Sequence, residues 1–212
     1  MLVLSAIIVT AIYQILKPNP TLPVYQPNRV NPELVDESKR RVKKYHTIDD
    51  FALLNQNGDT ITLQDYEGKI YIADFFFTTC PTICPIMKDH MVKLQHILMD
   101  NDEVLLLSHS VTPEIDSVPV LKAYAKSKGV IDAKWNMLTG DKKQIYDLAR
   151  KSYLVAKDES YGGDYDMIHT ENFVLVDTRR RIRGFYDGTD WVEMERLLAD
   201  LEILQREEHQ SR

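Results

Sequence analysis

Cys80 and Cys84 are the only thiols in this 212-residue chain, four residues apart in FFFTTCPTICPIM (residues 75–87). Such a pair can be a structural staple, a redox dithiol or part of a metal site. As a staple it is weak: a loop of ~5 residues constrains the unfolded chain by only ~2 kcal/mol, about half of what a 100-residue loop gives. Its placement favours thiolate chemistry. Two positions four apart in a first helical turn share a face, with Cα atoms ~6 Å apart, inside the span of a disulfide. The unpaired N–H groups and dipole of a helix start lower a thiol's pKa. Pro81 and Pro85 suit a loop passing into that turn. No lysine, arginine or histidine stands within the pair, so further activation must come from elsewhere in the fold. Spacing alone leaves a reactive pair and a metal-ligating pair both open.

The elements around the pair must place it. KIYIADFFF (69–77) is nearly continuous apolar and β-prone, as in a strand covered on both faces. After the cysteines, Ile86, Met87, Met91, Leu94, Ile97 and Leu98 recur at helical spacing. Upstream, Asn57-Gly58 between two apolar runs predicts a β-hairpin. Downstream come a buried strand (103–110), a helix (118–129) closed by Gly129, a short strand (134–140) and a helix (141–153) capped by Asp141. Two strands with a tight basic turn (171–188) and an amphipathic helix (190–205) finish the chain. Strands alternating with helices imply parallel crossovers, and the last strand pair implies an antiparallel edge. This is a thioredoxin-like α/β layout with an added N-terminal hairpin. In open α/β sheets chemistry gathers at the carboxyl ends of the strands, where Cys80 falls.

Composition bounds the rest. The chain is 44% hydrophobic and 27% charged, which is ordinary for a globular domain with an appendage. A net charge of −6 argues against nucleic acid as a partner. Two cysteines are too few for a disulfide-dense scaffold or an all-cysteine zinc site. Residues 1–16 carry no charged side chain and read as an N-terminal membrane anchor or uncleaved signal. Residues 17–44 read as a linker, proline-rich and exposed at first and then basic in KRRVKK (39–44). The thioredoxin-like domain is expected over 45–207, with a tail at 208–212.

FFFTTCPTICPIM resembles the cysteine segment of the SCO/SenC family, a phenylalanine-rich strand followed by Thr-x-Cys-Pro-x-x-Cys-Pro. The similarity runs on through FALLNQNGDTITLQDYEGK, SVTPEIDS (110–117) and DYDMIHTENFVLVD (164–177), covering roughly residues 45–204. The resemblance implies a membrane-tethered thioredoxin-like protein that binds copper and helps assemble the dinuclear copper site of cytochrome c oxidase. It implies Cys80, Cys84 and His169 as copper ligands, with the oxidase's copper-site subunit or another copper protein as partner. It places the domain on the extracytoplasmic, periplasmic side of the membrane. Some members are held to act as thiol–disulfide reductases, a role in which Cys80 and Cys84 alone would be the catalytic pair. Thr112 stands where the family has an acidic residue before Pro113 and Glu114, and Ile168 where an aspartate often precedes the histidine. Two thiolates and an imidazole suit copper in either oxidation state, and three ligands are too few for a closed zinc site. A formed disulfide cannot supply thiolates, so redox state would gate metal loading. FFFTTC also resembles the strand-to-cysteine junction of peroxiredoxin-like folds, a third and weaker reading.

The remaining histidines have plainer readings. His90 and His96, six apart, do not share a helix face and read as solvated or half-buried; His46 and His209 read as surface residues near the domain ends. His109 ends a central strand and could approach the site. TRRRIR (178–183) reads as a solvated turn, and Phe75 to Phe77, Met87 and Met91 as core.

Overall fold

The computed structural model describes residues 20–156, 168 and 170–211. A hairpin of β1 (Ala52–Leu54) and β2 (Thr60–Thr62) precedes the main sheet. That sheet holds β3 (Ile70–Phe76), β4 (Val104–Ser110), β5 (Trp135–Leu138), β6 (Asn172–Val176) and β7 (Ile182–Asp187). The strand order is β5-β4-β3-β6-β7. β3, β4 and β5 run parallel, whereas β6 and β7 are antiparallel. The helices are α1 (Ile83–Ile97), α2 (Val118–Lys128), α3 (Lys142–Asp147, continued by a wider turn over Leu148–Ser152) and α4 (Trp191–Gln210). This is the mixed, thioredoxin-like arrangement expected from the strand and helix order.

The turn chemistry works as the sequence suggests. Gly58 (φ 85°) closes the hairpin, where the Asn55 side chain accepts from the backbone N–H groups of Asn57 and Asp59. Gly129 caps α2 in the left-handed region at φ 70°, and the Asp141 carboxylate accepts from Gln144 N–H at the start of α3. Gln56 seals the β5 edge by donating to Trp135 O and accepting from Met137 N–H.

β3 is buried along its whole length, so its side chains must satisfy two layers. Asp74, aligned with Ser108 of β4, faces α1 and meets the Lys88 ammonium at 2.5 Å. Lys88 also donates to Ser108 Oγ (3.0 Å), which in turn bonds Asp74 and accepts from the Trp135 indole. Both ions are fully buried, and Nζ lies 4.0 Å from the Phe76 ring centre. The buried stripe of α1 is therefore Cys84, Met87, Lys88, Met91, Leu94 and Gln95. The apolar spacing found Met87, Met91, Leu94 and Leu98, which are buried, but also took in Ile86 and Ile97, which are exposed. Counting Cys84 as an inward position recovers the correct face.

On the opposite face, Tyr71, Phe75 and His109 pack beneath α3 and the segment after it. The His109 ring stacks on Phe75 and meets Phe51 and Tyr153 edge-on or tilted, and neither ring nitrogen has a hydrogen-bond partner. Burial pushes its pKa down to about 3. His46, expected at the surface, is buried, with Nε2 2.7 Å from Ser152 O. His90 is also buried, against Gly188 O and Trp191, while His209 pairs with Glu103.

The stretch expected as an exposed spacer is docked on the domain from Leu22 on. Tyr25 N–H bonds Ile182 O at the start of β7, and the Tyr25 ring packs edge-on against Phe185. Arg183, buried rather than solvated, bonds the carbonyls of Leu22 and Pro23 and pairs with Asp177 and Glu207. The chain end is likewise no loose tail, since α4 runs on to Gln210. Residues 1–16 lie outside the described residues, among which no helix is long and apolar enough to cross a membrane.

Removing one member of the buried ion pair strands the other. Lys88→Ala is expected to lower unfolding free energy by about 3–5 kcal/mol, whereas the paired change Asp74→Leu, Lys88→Met costs far less. Urea unfolding of the three proteins checks this, and equal losses would contradict it. His109 acts with pH in the opposite way to a paired histidine. The unfolded chain takes up its proton from about pH 6.5 downward and the folded chain only near 3, so stability falls as pH drops through that window. His109→Phe removes both the orphaned ring nitrogens and this acid sensitivity, and acid titration should show its unfolding midpoint at lower pH.

Candidate metal-binding dithiol site

The site forms where β3 leaves the sheet. After Phe76 the chain turns through Thr78 and Thr79, reaches Cys80, and enters α1 only at Ile83, with Thr82 as N-cap. Cys80 thus precedes the helix instead of lying in its first turn, and Cys84 is the second helical residue. The Thr82 side chain makes no capping bond. The Cys80 sulfur fills that role by accepting from the backbone N–H groups of Cys84 and Thr82, donors that a helix start leaves unpaired. The Thr82 hydroxyl is 3.7 Å from the same sulfur.

The two thiols are not joined by a disulfide in the structure, and they are unequal. Burial alone would raise the Cys80 pKa, but the hydrogen bonds from the Cys84 thiol, the two backbone N–H groups and Thr82 outweigh it, and the result is about 7. Burial pushes Cys84 up to about 12, opposed by a bond from Phe77 N–H and, weakly, by the Lys88 charge. Near neutral pH a substantial fraction of Cys80 is thiolate, while Cys84 is a protonated thiol bonded to it.

A carboxylate holds the front of this loop. Asp116, fully buried after β4, accepts from Thr78 N–H (3.1 Å) and its hydroxyl, from Ser110 Oγ (2.6 Å) and from Thr112 Oγ1 (3.1 Å). Thr112 is the residue that replaces the acid of the resembled family. A second carboxylate there would face Asp116, whereas the threonine hydroxyl donates to it. Sequence reading did not single out Asp116 or Lys88. The spacing of Lys88 from Cys84 was a usable signal; the partners of Asp116 come from two different loops and gave none.

The structure therefore brings Cys80 and Cys84 together. His169 lies outside the described residues; its neighbours Ile168 and Thr170 are buried. Among the described residues no group of three or more His, Cys, Asp or Glu side chains could hold a metal. His109 does not join the dithiol: it shares a face with Phe75 and α3, while its strand neighbour Ser108 faces α1. The donors that are present fit a soft metal, since the two sulfurs are hydrogen-bonded to each other and one ionises with a pKa of about 7.

A thioredoxin-like sheet with a close dithiol at the helix start after its central strand defines a class of thiol-based redox and metal proteins. Within it, the sequence model of the SCO1/SenC family matches residues 39–205, and the chain belongs to that family. It is 33% identical over 160 residues to the SCO1 protein homolog of Bacillus subtilis, covering 74% of this chain and 81% of that one. Among solved structures it resembles BsSco, described as having a disulfide switch and as a member of the Sco family of cytochrome c oxidase assembly proteins. The TM-score is 0.64 at 30% identity, over 76% of this chain and 94% of that one. It also resembles copper-bound ScoI of Bradyrhizobium japonicum, with TM-score 0.55 and 29% identity over 75% and 98% of the chains.

The thiol asymmetry predicts separable reactivity. Iodoacetamide should modify Cys80 with a pH midpoint near 7 and leave Cys84 protected throughout the neutral range. Mass spectrometry of each site checks this, and equal rates at the two sulfurs would contradict it.

Proposed function

We propose that this protein binds copper through the Cys80 and Cys84 thiolates with His169 as third ligand, and delivers it during assembly of a copper site such as that of cytochrome c oxidase. The observation that carries the reading is the hydrogen-bonded dithiol at the start of α1 in a member of the SCO1/SenC family. Copper-bound ScoI supports the choice of metal. Cys80, with a pKa lowered to about 7, gives up its proton to the metal far more readily than Cys84. Cys84 must give up its proton on ligation, so copper loading releases protons and weakens as pH falls. We further propose that residues 1–16 tether the domain to a membrane on its extracytoplasmic side, with the dithiol domain over 45–207 following.

A second reading has its own supporting observation, the split between an activated and a protected thiol. The Cys80 thiolate would attack a partner's disulfide, forming a mixed disulfide and releasing one partner thiolate. Cys84, losing its proton, would then attack the Cys80 sulfur and release the second thiolate. The partner gains two electrons and the Cys80–Cys84 pair is oxidised. The disulfide switch of BsSco is in keeping with such chemistry.

His169→Ala separates the two. As a lost ligand it should weaken copper retention by at least the roughly 10–100-fold that loss of an outer partner costs, leaving thiol–disulfide exchange intact. Competition titration with a Cu(I) chelator checks this. Unchanged copper affinity would refute the ligand role, and full cellular activity of the variant would favour the reductase reading.

A further inference from the structure

The basic run KRRVKK has no part in the dithiol chemistry, and the structure places it at one particular end of the sheet. β3 runs from Ile70 toward Cys80, so its start marks the end far from the cysteines. Tyr71 pairs with Val176, and Val176 with Ile182, so the β6–β7 turn lies at that far end. The docked strap enters there through Tyr25 N–H to Ile182 O. Ile48 N–H bonds Arg180 O in the same turn, and Asn28 N–H bonds Val42 O, which brings the basic run beside the strap.

Several basic side chains there are unpaired, although Arg180 pairs with Asp50 and Arg181 with Asp177. Arg29, Arg41, Lys43, Lys44 and Arg179 are exposed and make no ion pair among the described residues. From Arg29 to Lys44 the chain carries six basic residues (Arg29, Lys39, Arg40, Arg41, Lys43, Lys44) against three acidic (Glu33, Asp36, Glu37). That is a local +3 in a protein of net charge −6. Tyr45 sits among them 92% exposed, with φ at 65°. Exposed acids at that end include Glu67, Asp100 and Asp102 at the starts of β3 and β4 and, on the β6–β7 side, Asp50, which pairs with Arg180 of the turn, and its neighbour Asp49.

The strap also sets the reach. Between the apolar segment ending at Leu16 and the pinned Leu22 there are five residues, so the span from one to the other is at most ~20 Å of chain. A linker free to residue 44 would allow ~95 Å.

We propose that the β6–β7 half of this end, with Arg29, Arg41, Lys43, Lys44, Arg179 and Tyr45, docks on an anionic lipid surface, holding the dithiol on the side facing away from the membrane. This rests on the membrane tether proposed above. Lysines and arginines near an anionic headgroup layer each strengthen binding about five-fold, and tyrosine is favoured at the interface between apolar and aqueous layers. The five strand steps from Tyr71 to Phe76 put the cysteines at least ~17 Å above the docking face. The partner would then be met at that height, which suits a domain projecting from the same membrane.

The test uses the full chain carrying Tyr45→Trp, reconstituted in vesicles of phosphatidylcholine alone or with phosphatidylglycerol, with brominated acyl chains as quencher. Trp135 is fully buried and Trp191 lies beside His90 on α1, so the new indole reports its own site. Quenching is expected only with phosphatidylglycerol. It should be lost at ~1 M salt, where the screening length shrinks to about 3 Å, and lost on adding Arg41→Gln, Lys43→Gln and Lys44→Gln. The Cys80 alkylation rate should be the same in every sample. Equal quenching in both lipids, or none in either, overturns the proposal, as does slower Cys80 alkylation in anionic vesicles. Flotation separates the premises. A chain that floats with both vesicles but stays unquenched refutes the docking face alone; one that binds only the anionic vesicles upholds the face and refutes the tether.

Discussion

The buried pair of Asp74 and Lys88 fixes what the rest of this structure needs. An ion pair without water is costly unless every remaining proton and lone pair is used, and here Ser108 and the Trp135 indole complete the set. The network joins α1 to β3, β4 and β5 at one point, four residues after Cys84. It sets the rotation of α1 about its own axis, and with it the direction in which Cys84 points. Asp116 does the corresponding work for the loop before the helix, binding Thr78 from two sides. Between these two carboxylates the chain has little freedom in where it places its sulfurs.

The chemistry of the dithiol follows from that placement. A helix start offers N–H groups that nothing inside the helix can satisfy, and the Cys80 sulfur receives two of them. Cys84, one turn further in, receives mostly the cost of burial. Two residues of the same type thereby acquire opposite acidities. Such a pair can offer a thiolate to a soft metal or exchange it into a disulfide, but not both at once. The oxidation state of the pair decides between them.

Much of this was legible in the sequence, because it depended on local pattern. The continuous apolar run of β3, the glycine ending α2 and the aspartate opening α3 each has a short-range cause, and each element stands where that cause puts it. The face of α1 was legible only in part: Met87, Met91 and Leu94 are core as their spacing implies, but Ile86 and Ile97 look like core and are exposed, and only a partner 14 residues away in sequence makes Lys88 a core residue. Arg183 and His46 were misjudged for the same reason, since their partners lie on the N-terminal strap and on the turn after α3. The spacer was misread because a proline-rich stretch has no internal signal for docking on a distant strand edge. At the site, the motif pointed to both cysteines, while the clamp of Asp116 depends on contacts no spacing reveals.

The central claim is that both sulfurs and one imidazole bind copper together. X-ray absorption at the copper edge, on the reduced full chain loaded with one equivalent of Cu(I), tests it most directly. The account predicts two sulfur neighbours and one nitrogen neighbour per copper, with sulfur lost on Cys84→Ser in proportion to one ligand. Copper held stoichiometrically by nitrogen and oxygen alone, with no sulfur in its coordination sphere, would contradict it.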